Sequence, residues 1–164
     1  MIVSLEWLKD YTDINVSPEE FCDKMIMSGS NLETMEHVGC DMEKVVVGKI
    51  LKIEKHPDAD KLVVCQVDVG NDQPVQIVTG APNVFEGAYV PVALDGSRIP
   101  GPLHGQPKKE GGEIIKAGKL RGVESCGMLC SFGELGFQDK VVPVNQRDGI
   151  WILNGEYPVG MDFA

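Results

Sequence analysis

The sequence predicts a mainly β chain of α+β character: a five-stranded Greek-key barrel inserted into a small helical N-terminal domain. Three observations predict it. Residues 1–39 carry helix caps and helical apolar spacing. From Val45 the pattern changes to period two and fills with β-branched residues. Gly, Pro and Asn then punctuate the chain at short intervals, so that no long helix is required.

The elements follow in order. Ser4 is placed to cap a short helix carrying Leu5, Trp7 and Leu8. SPEEF is a stronger start, with Ser17 as N-cap, Pro18 at the first helical position and Glu20 three residues after the cap. Phe21, Met25 and Ile26 then form one apolar face, and Gly29 is a natural terminator. VVVGKILKIEKHP reads as a strand ending at the loop HPDADK. KLVVCQVDVG sets Val63, Cys65, Val67 and Val69 against Gln66 and Asp68. VQIVTG, YVPVAL and GIWIL supply three more strands, with turn signals at NDQP, GAPN, DGS and PGPLHGQP. Five short strands point to a barrel with the OB-fold as its leading form; periodicity does not separate this from an SH3-like barrel. The expected divisions are a helical part at 1–39, the barrel at 40–150, and residues 151–164 as the start of the returning half of the split helical domain.

At 164 residues the chain is long enough to bury a real core. Apolar content of 43% and charged content of 24% are ordinary for a soluble globular protein. No apolar run approaches the ~20 residues of a membrane span. MIVSLEWLKDY carries acids where a signal peptide carries bases, which predicts a cytoplasmic chain. Five cysteines without repeated spacing fit free thiols in a reducing compartment. The net charge of −10 argues against nucleic acid on its face, but its distribution matters more. Residues 1–39 hold eight acids and two bases. Residues 98–121 hold Arg98, Lys108, Lys109, Lys116, Lys119 and Arg121 against Glu110 and Glu113, a net of +4. One basic stripe, or equally a solvated loop face, sits on an acidic chain.

KLRGVESCGMLCS, residues 119–131, concentrates the possible chemistry. Cys126 and Cys130 form one loose pair, with His37, His56 and His104 scattered elsewhere. A structural zinc site needs four ligands, usually in two close pairs, so packing thiols explain them better. A cysteine nucleophile would need a base such as His56, yet HPDADK more naturally makes a polar loop, Pro57 fixing the turn and Asp58 capping it. No nucleophile elbow or phosphate-binding glycine loop is present. Nucleic-acid contact remains. Lys119 and Arg121 suit phosphates, and Gly122 and Gly127 admit close backbone approach. Ser125 and Ser131 suit a phosphate or a 2′-hydroxyl, and Met128 offers a soft apolar surface for a base or sugar.

HPDADKL (56–62), IVTGAPN (77–83), VPVA (90–93) and KLRGVESCGMLCSFGELG (119–136) resemble the tRNA-binding domain, an OB-fold module. MIVSLEWLKDY, with SGSNLETMEHV leading into VVVGKI, further resembles the N-terminus of bacterial phenylalanyl-tRNA synthetase beta subunits. The resemblance covers essentially the whole chain. It implies a barrel inserted into a helical domain and a non-catalytic, tRNA-binding fragment of a longer subunit. The partners implied are tRNA, the rest of the beta subunit and the alpha subunit, with neither membrane nor DNA. No cofactor is implied for the fragment; ATP and magnesium would belong to other domains, as would catalysis and editing. The contact residues carried over are His56 and Lys61 in the first loop, Asn83 in the GAPN turn, and Lys119, Arg121, Ser125, Met128 and Ser131. Lys61, Lys119 and Arg121 would neutralise phosphates, while Asn83, Ser125 and Ser131 would hydrogen-bond. Residues 98–118 are longer than the compact loop usual before KLRG, and 137–149 also look expanded. The alternative is a structural module packing within the alpha–beta assembly; an enzyme with zinc or an activated thiol ranks third.

Overall fold

The computed structural model describes residues 3–35, 41–103, 106–107, 111–137 and 142–163. Its contacts divide the chain into two units, Met1–His37 and Val38–Ala164. In the first, α1 (Leu5–Leu8) starts at Ser4, whose hydroxyl accepts the Trp7 N–H, and α2 (Pro18–Met27) starts at Ser17, which accepts from Glu20 N at 3.2 Å. Both caps are those the sequence predicts. Gly29, in a left-handed conformation at φ +93°, ends α2. Neither helix buries a residue.

The second unit is a nearly closed antiparallel barrel of OB type. Its strands are β1 (Glu43–Lys55), β2 (Val63–Asp68), β3 (Val75–Thr79), β4 (Tyr89–Ile99), β5 (Glu113–Ile114), β6 (Gly118–Leu120), β7 (Val123–Ser125) and β8 (Gly127–Leu129). The main sheet runs β3-β2-β1-β4-β5, and β8 also pairs with β4. The predicted alternation in β2 holds: Cys65, Val67 and Val69 point inward with Ile50, Ile77, Val90, Val92 and Leu129. A second cluster gathers Val45, Ala93, Ile99, Ile115, Cys130 and Leu135. Trp151 stacks on Phe132 with centroids 4.0 Å apart and meets Phe137 and Phe163 edge-on, arrangements that add to plain burial.

Two expectations need correction. GIWIL is not a strand, and the fifth barrel strand is β8, inside the glycine-rich motif. Ile150 is buried, but its backbone bonds go to the Asn83 side chain, and Trp151 N donates to Cys130 O. A run of apolar residues marks burial, whereas a strand needs a continuous ladder, and here a side chain takes the Ile150 groups while Trp151 and Leu153 make single bonds to Cys130 O and Tyr89 O. Second, DGS does not end YVPVAL. β4 continues to Ile99 because Gly96 N and Ser97 O pair with Ile115, giving the 98–118 stretch an edge strand of its own.

Within residues 151–164, expected to begin a returning half-domain, residues 160–163 run along β1. Val47 N donates to Met161 O at 2.8 Å and Phe163 N to Val45 O at 2.9 Å. Among the described residues, no helix is long and apolar enough to cross a membrane.

Candidate nucleic-acid interface

The HPDADK loop joins β1 to β2 and is built around His56, which is only 5% exposed. Its Nδ1 accepts the Asp58 N–H at 3.0 Å, so the imidazole rather than the Asp58 carboxylate caps the turn. With Nδ1 occupied as an acceptor, the neutral ring carries its proton on Nε2, which donates to Leu120 O at 3.0 Å. That bond ties the first motif block to the KLRG block, 64 residues further along the chain.

β6 and β7 form a hairpin whose two turn residues are Arg121 and Gly122, both with positive φ, +46° and +88°. A two-residue turn of the primed type demands this, and it matches the twist of the flanking strands. Gly122 meets the demand without strain; Arg121 is a non-glycine residue in the left-handed region, held there by the pairing of Leu120 with Val123 on either side. Lys61, Arg121, Asp58 and Asp60 line one shallow groove of about 400 Å³. Two carboxylates thus face two cations there, which tempers its attraction for an anion.

Ser125 closes the barrel. It is 3% exposed, and its hydroxyl accepts the Val78 N–H at 3.0 Å and donates to Gly127 O at 3.0 Å. Alongside it, Cys126 N donates to Gln76 O at 2.8 Å, and Gln76 Nε2 to Glu124 O at 2.7 Å. Asn83 grips Ile150 through both amide atoms, donating to its carbonyl at 2.8 Å and accepting from its N–H at 3.0 Å. Ser131 and Glu134 form a reciprocal capping box: Glu134 Oε2 accepts from Ser131 N at 2.7 Å and from its hydroxyl at 2.8 Å, and Ser131 Oγ accepts from Glu134 N at 3.3 Å.

The eight residues singled out by sequence therefore fall into two sets. Lys61, Lys119 and Arg121 are exposed and Met128 half-buried. His56, Asn83, Ser125 and Ser131 have their polar atoms engaged within the chain: the first three bridge distant segments whose backbone groups would otherwise lack partners, and Ser131 closes its own turn with Glu134. Sequence reasoning missed the Leu120 carbonyl and Gln76, because an isolated Gln or a backbone acceptor leaves no spacing signal; the exposed Lys116 falls within the predicted basic stripe but not among the predicted contact residues. Lys108 and Lys109 lie outside the described residues. Cys65 and Cys130 are buried, and burial pushes the Cys65 thiol up to about 11 and the Cys130 thiol up as well. Among the described residues, no group of three His, Cys, Asp or Glu could hold a metal ion.

A nearly closed five-stranded barrel with a glycine-containing hairpin at its seam defines an OB-type barrel class. The family described as "Putative tRNA binding domain" matches residues 45–160, and the chain belongs to it. Over 162 residues it is 47% identical to the phenylalanine–tRNA ligase beta subunit of Clostridium acetobutylicum, covering 99% of this chain and 19% of that one. The corresponding subunit of Clostridium tetani is 46% identical with the same coverage. The chain thus spans about a fifth of the length of these relatives. A crystal structure of a MetRS-related protein from Pyrococcus horikoshii superposes with a TM-score of 0.46 at 24% identity, covering 71% of this chain and 85% of that one.

Proposed function

We propose that this chain is the tRNA-contacting module of a phenylalanine–tRNA ligase beta subunit, cytoplasmic and itself non-catalytic. Attachment of phenylalanine to its tRNA, with ATP and magnesium, then belongs to other domains and to the alpha subunit. The barrel is inserted into a domain that begins with the helices of residues 1–39 and returns after the barrel, with residues 160–163 leaving along β1. The observation that carries the reading is the His56–Leu120 bond, which draws two separated motif blocks into one edge bearing Lys61, Lys119 and Arg121. Those three cations neutralise phosphates and Met128 meets a base or sugar. His56, Asn83, Ser125 and Ser131 hold the surface in shape through bonds of their own.

The test is fluorescence-anisotropy titration of tRNA and of a size-matched DNA duplex at low and moderate salt, beside a Lys119→Ala/Arg121→Ala variant. Preferential tRNA binding is expected. The double variant should weaken it and flatten the log–log salt slope by about 1.4 to 1.8, two phosphate contacts at ~0.7–0.9 each. Negligible binding of both ligands by the folded wild-type chain would defeat the reading and favour an architectural role.

A further inference from the structure

Beside the mixed-charge groove lies a second concavity of different chemistry. It is bounded by the β5 edge, the β6–β7 hairpin and the seam strand β8, with a volume of about 280 Å³. Its apolar members include Ile114, Leu120, Leu103 and Met128; its charged members are Lys116 and Lys119 alone. Ile114 and Leu120 are 56% and 46% exposed, so two branched aliphatic side chains stand in water along one opening. Single exposed apolar residues are ordinary, but two lining the same concavity beside Lys116 and Lys119, the latter with Glu124 as its cross-strand neighbour, make a combined apolar and cationic surface.

We propose that this concavity seats one unpaired nucleotide of the bound RNA, its base against Ile114, Leu120 and Met128 and its flanking phosphates at Lys116 and Lys119. The proposal rests on the tRNA-binding reading above and adds to it a preference for single-stranded over duplex RNA. Three observations support this occupant. The volume is at the lower end for small-molecule sites, which suits one nucleotide rather than a helix. The charge is of one sign, unlike that of the groove holding Asp58 and Asp60. Leu120, Lys119 and Arg121 are consecutive-turn neighbours, so the concavity is continuous with the cationic edge. A base buried inside a duplex offers no face to such a surface, whereas an unstacked one offers its whole π-face, a contact that does not depend on sequence.

The test uses the 164-residue chain against a short single-stranded RNA and a blunt RNA duplex of equal length, each titrated at two salt concentrations. The variants are Ile114→Ser/Leu120→Ser and, separately, Lys119→Ala. Because both aliphatic side chains are about half exposed, the first variant should fold normally, as circular dichroism will report. Its affinity for the single strand should fall about five- to tenfold, the loss of two partial apolar contacts. Its salt slope should stay at the wild-type value, and its duplex affinity should not change. Lys119→Ala should instead flatten the slope by about 0.7. Equal losses on strand and duplex, or no loss on either, would overturn the nucleotide seat while leaving the tRNA-binding reading intact. Failure of the wild-type chain to bind either RNA while it binds tRNA would overturn the seat alone, and failure to bind tRNA as well would remove both.

Discussion

At Ser125 a hydroxyl does what a strand carbonyl does elsewhere in the sheet. It accepts the N–H of Val78 and donates its own O–H to Gly127 O, closing the barrel where β7 and β8 are too short to form a full ladder with β3. Ser125→Ala should therefore leave a buried amide without a partner and cost about 1–3 kcal/mol in urea denaturation, with the RNA salt slope unchanged. A normal stability with a flattened slope would instead make Ser125 a contact residue. The thiols give a second prediction. Cys65 is held near 11 and Cys130 is also raised, both chiefly by burial. In the native chain at pH 8 a thiol reagent should modify Cys126 while sparing Cys65 and Cys130 until the fold opens. The unfolded thiols ionise near pH 9 and the folded ones only above it, so the unfolded state loses protons first. Stability should accordingly hold below pH 9 and decline as pH rises toward 11.

At the scale of elements, the turn at Ser131–Gly136 docks on the chain leaving β4. Gly101 N donates to Glu134 O at 2.9 Å, and a Cβ at Gly101 would stand 1.9 Å from the Gly133 carbonyl oxygen. Gly101→Ala should thus cost more than the ~1–3 kcal/mol of ordinary overpacking, because backbone on both sides would have to separate. In β6, a Cβ at Gly118 meets nothing within 4 Å, so Gly118→Ala should lie within about 0.5 kcal/mol of wild type. Thermal denaturation of the pair decides this, and similar midpoints would mean that the 131–136 turn does not seat on Gly101.

For the molecule as a whole, every buried hydrophobic side chain among the described residues lies between Val45 and Ile150. The barrel unit holds its own core, while α1 and α2, four and ten residues long, bury nothing. Isolated helices shorter than ~12–15 residues are marginal in water. A 38–164 chain should therefore unfold cooperatively in urea, and a peptide of residues 1–37 should show little helical circular dichroism. A gradual, non-cooperative transition of the 38–164 chain would show that the barrel core is insufficient alone.

The sequence by itself determined both helix starts, the four strands β1 to β4 and the inward set of β2, because caps and period-two alternation are local signals. It also located the motif blocks and the three exposed cations among its eight site residues. Only the tertiary structure decided which of those residues face outward. Ser125 and a surface serine are the same letters; what turned Ser125 inward was the open N–H of Val78, 47 residues away. In the same way Asn83 satisfied both backbone groups of Ile150, and His56 found its acceptor at Leu120. Such bonds join segments far apart in the chain, and no period or spacing records them. They form where folding brings an unpaired backbone group beside a side chain that can satisfy it.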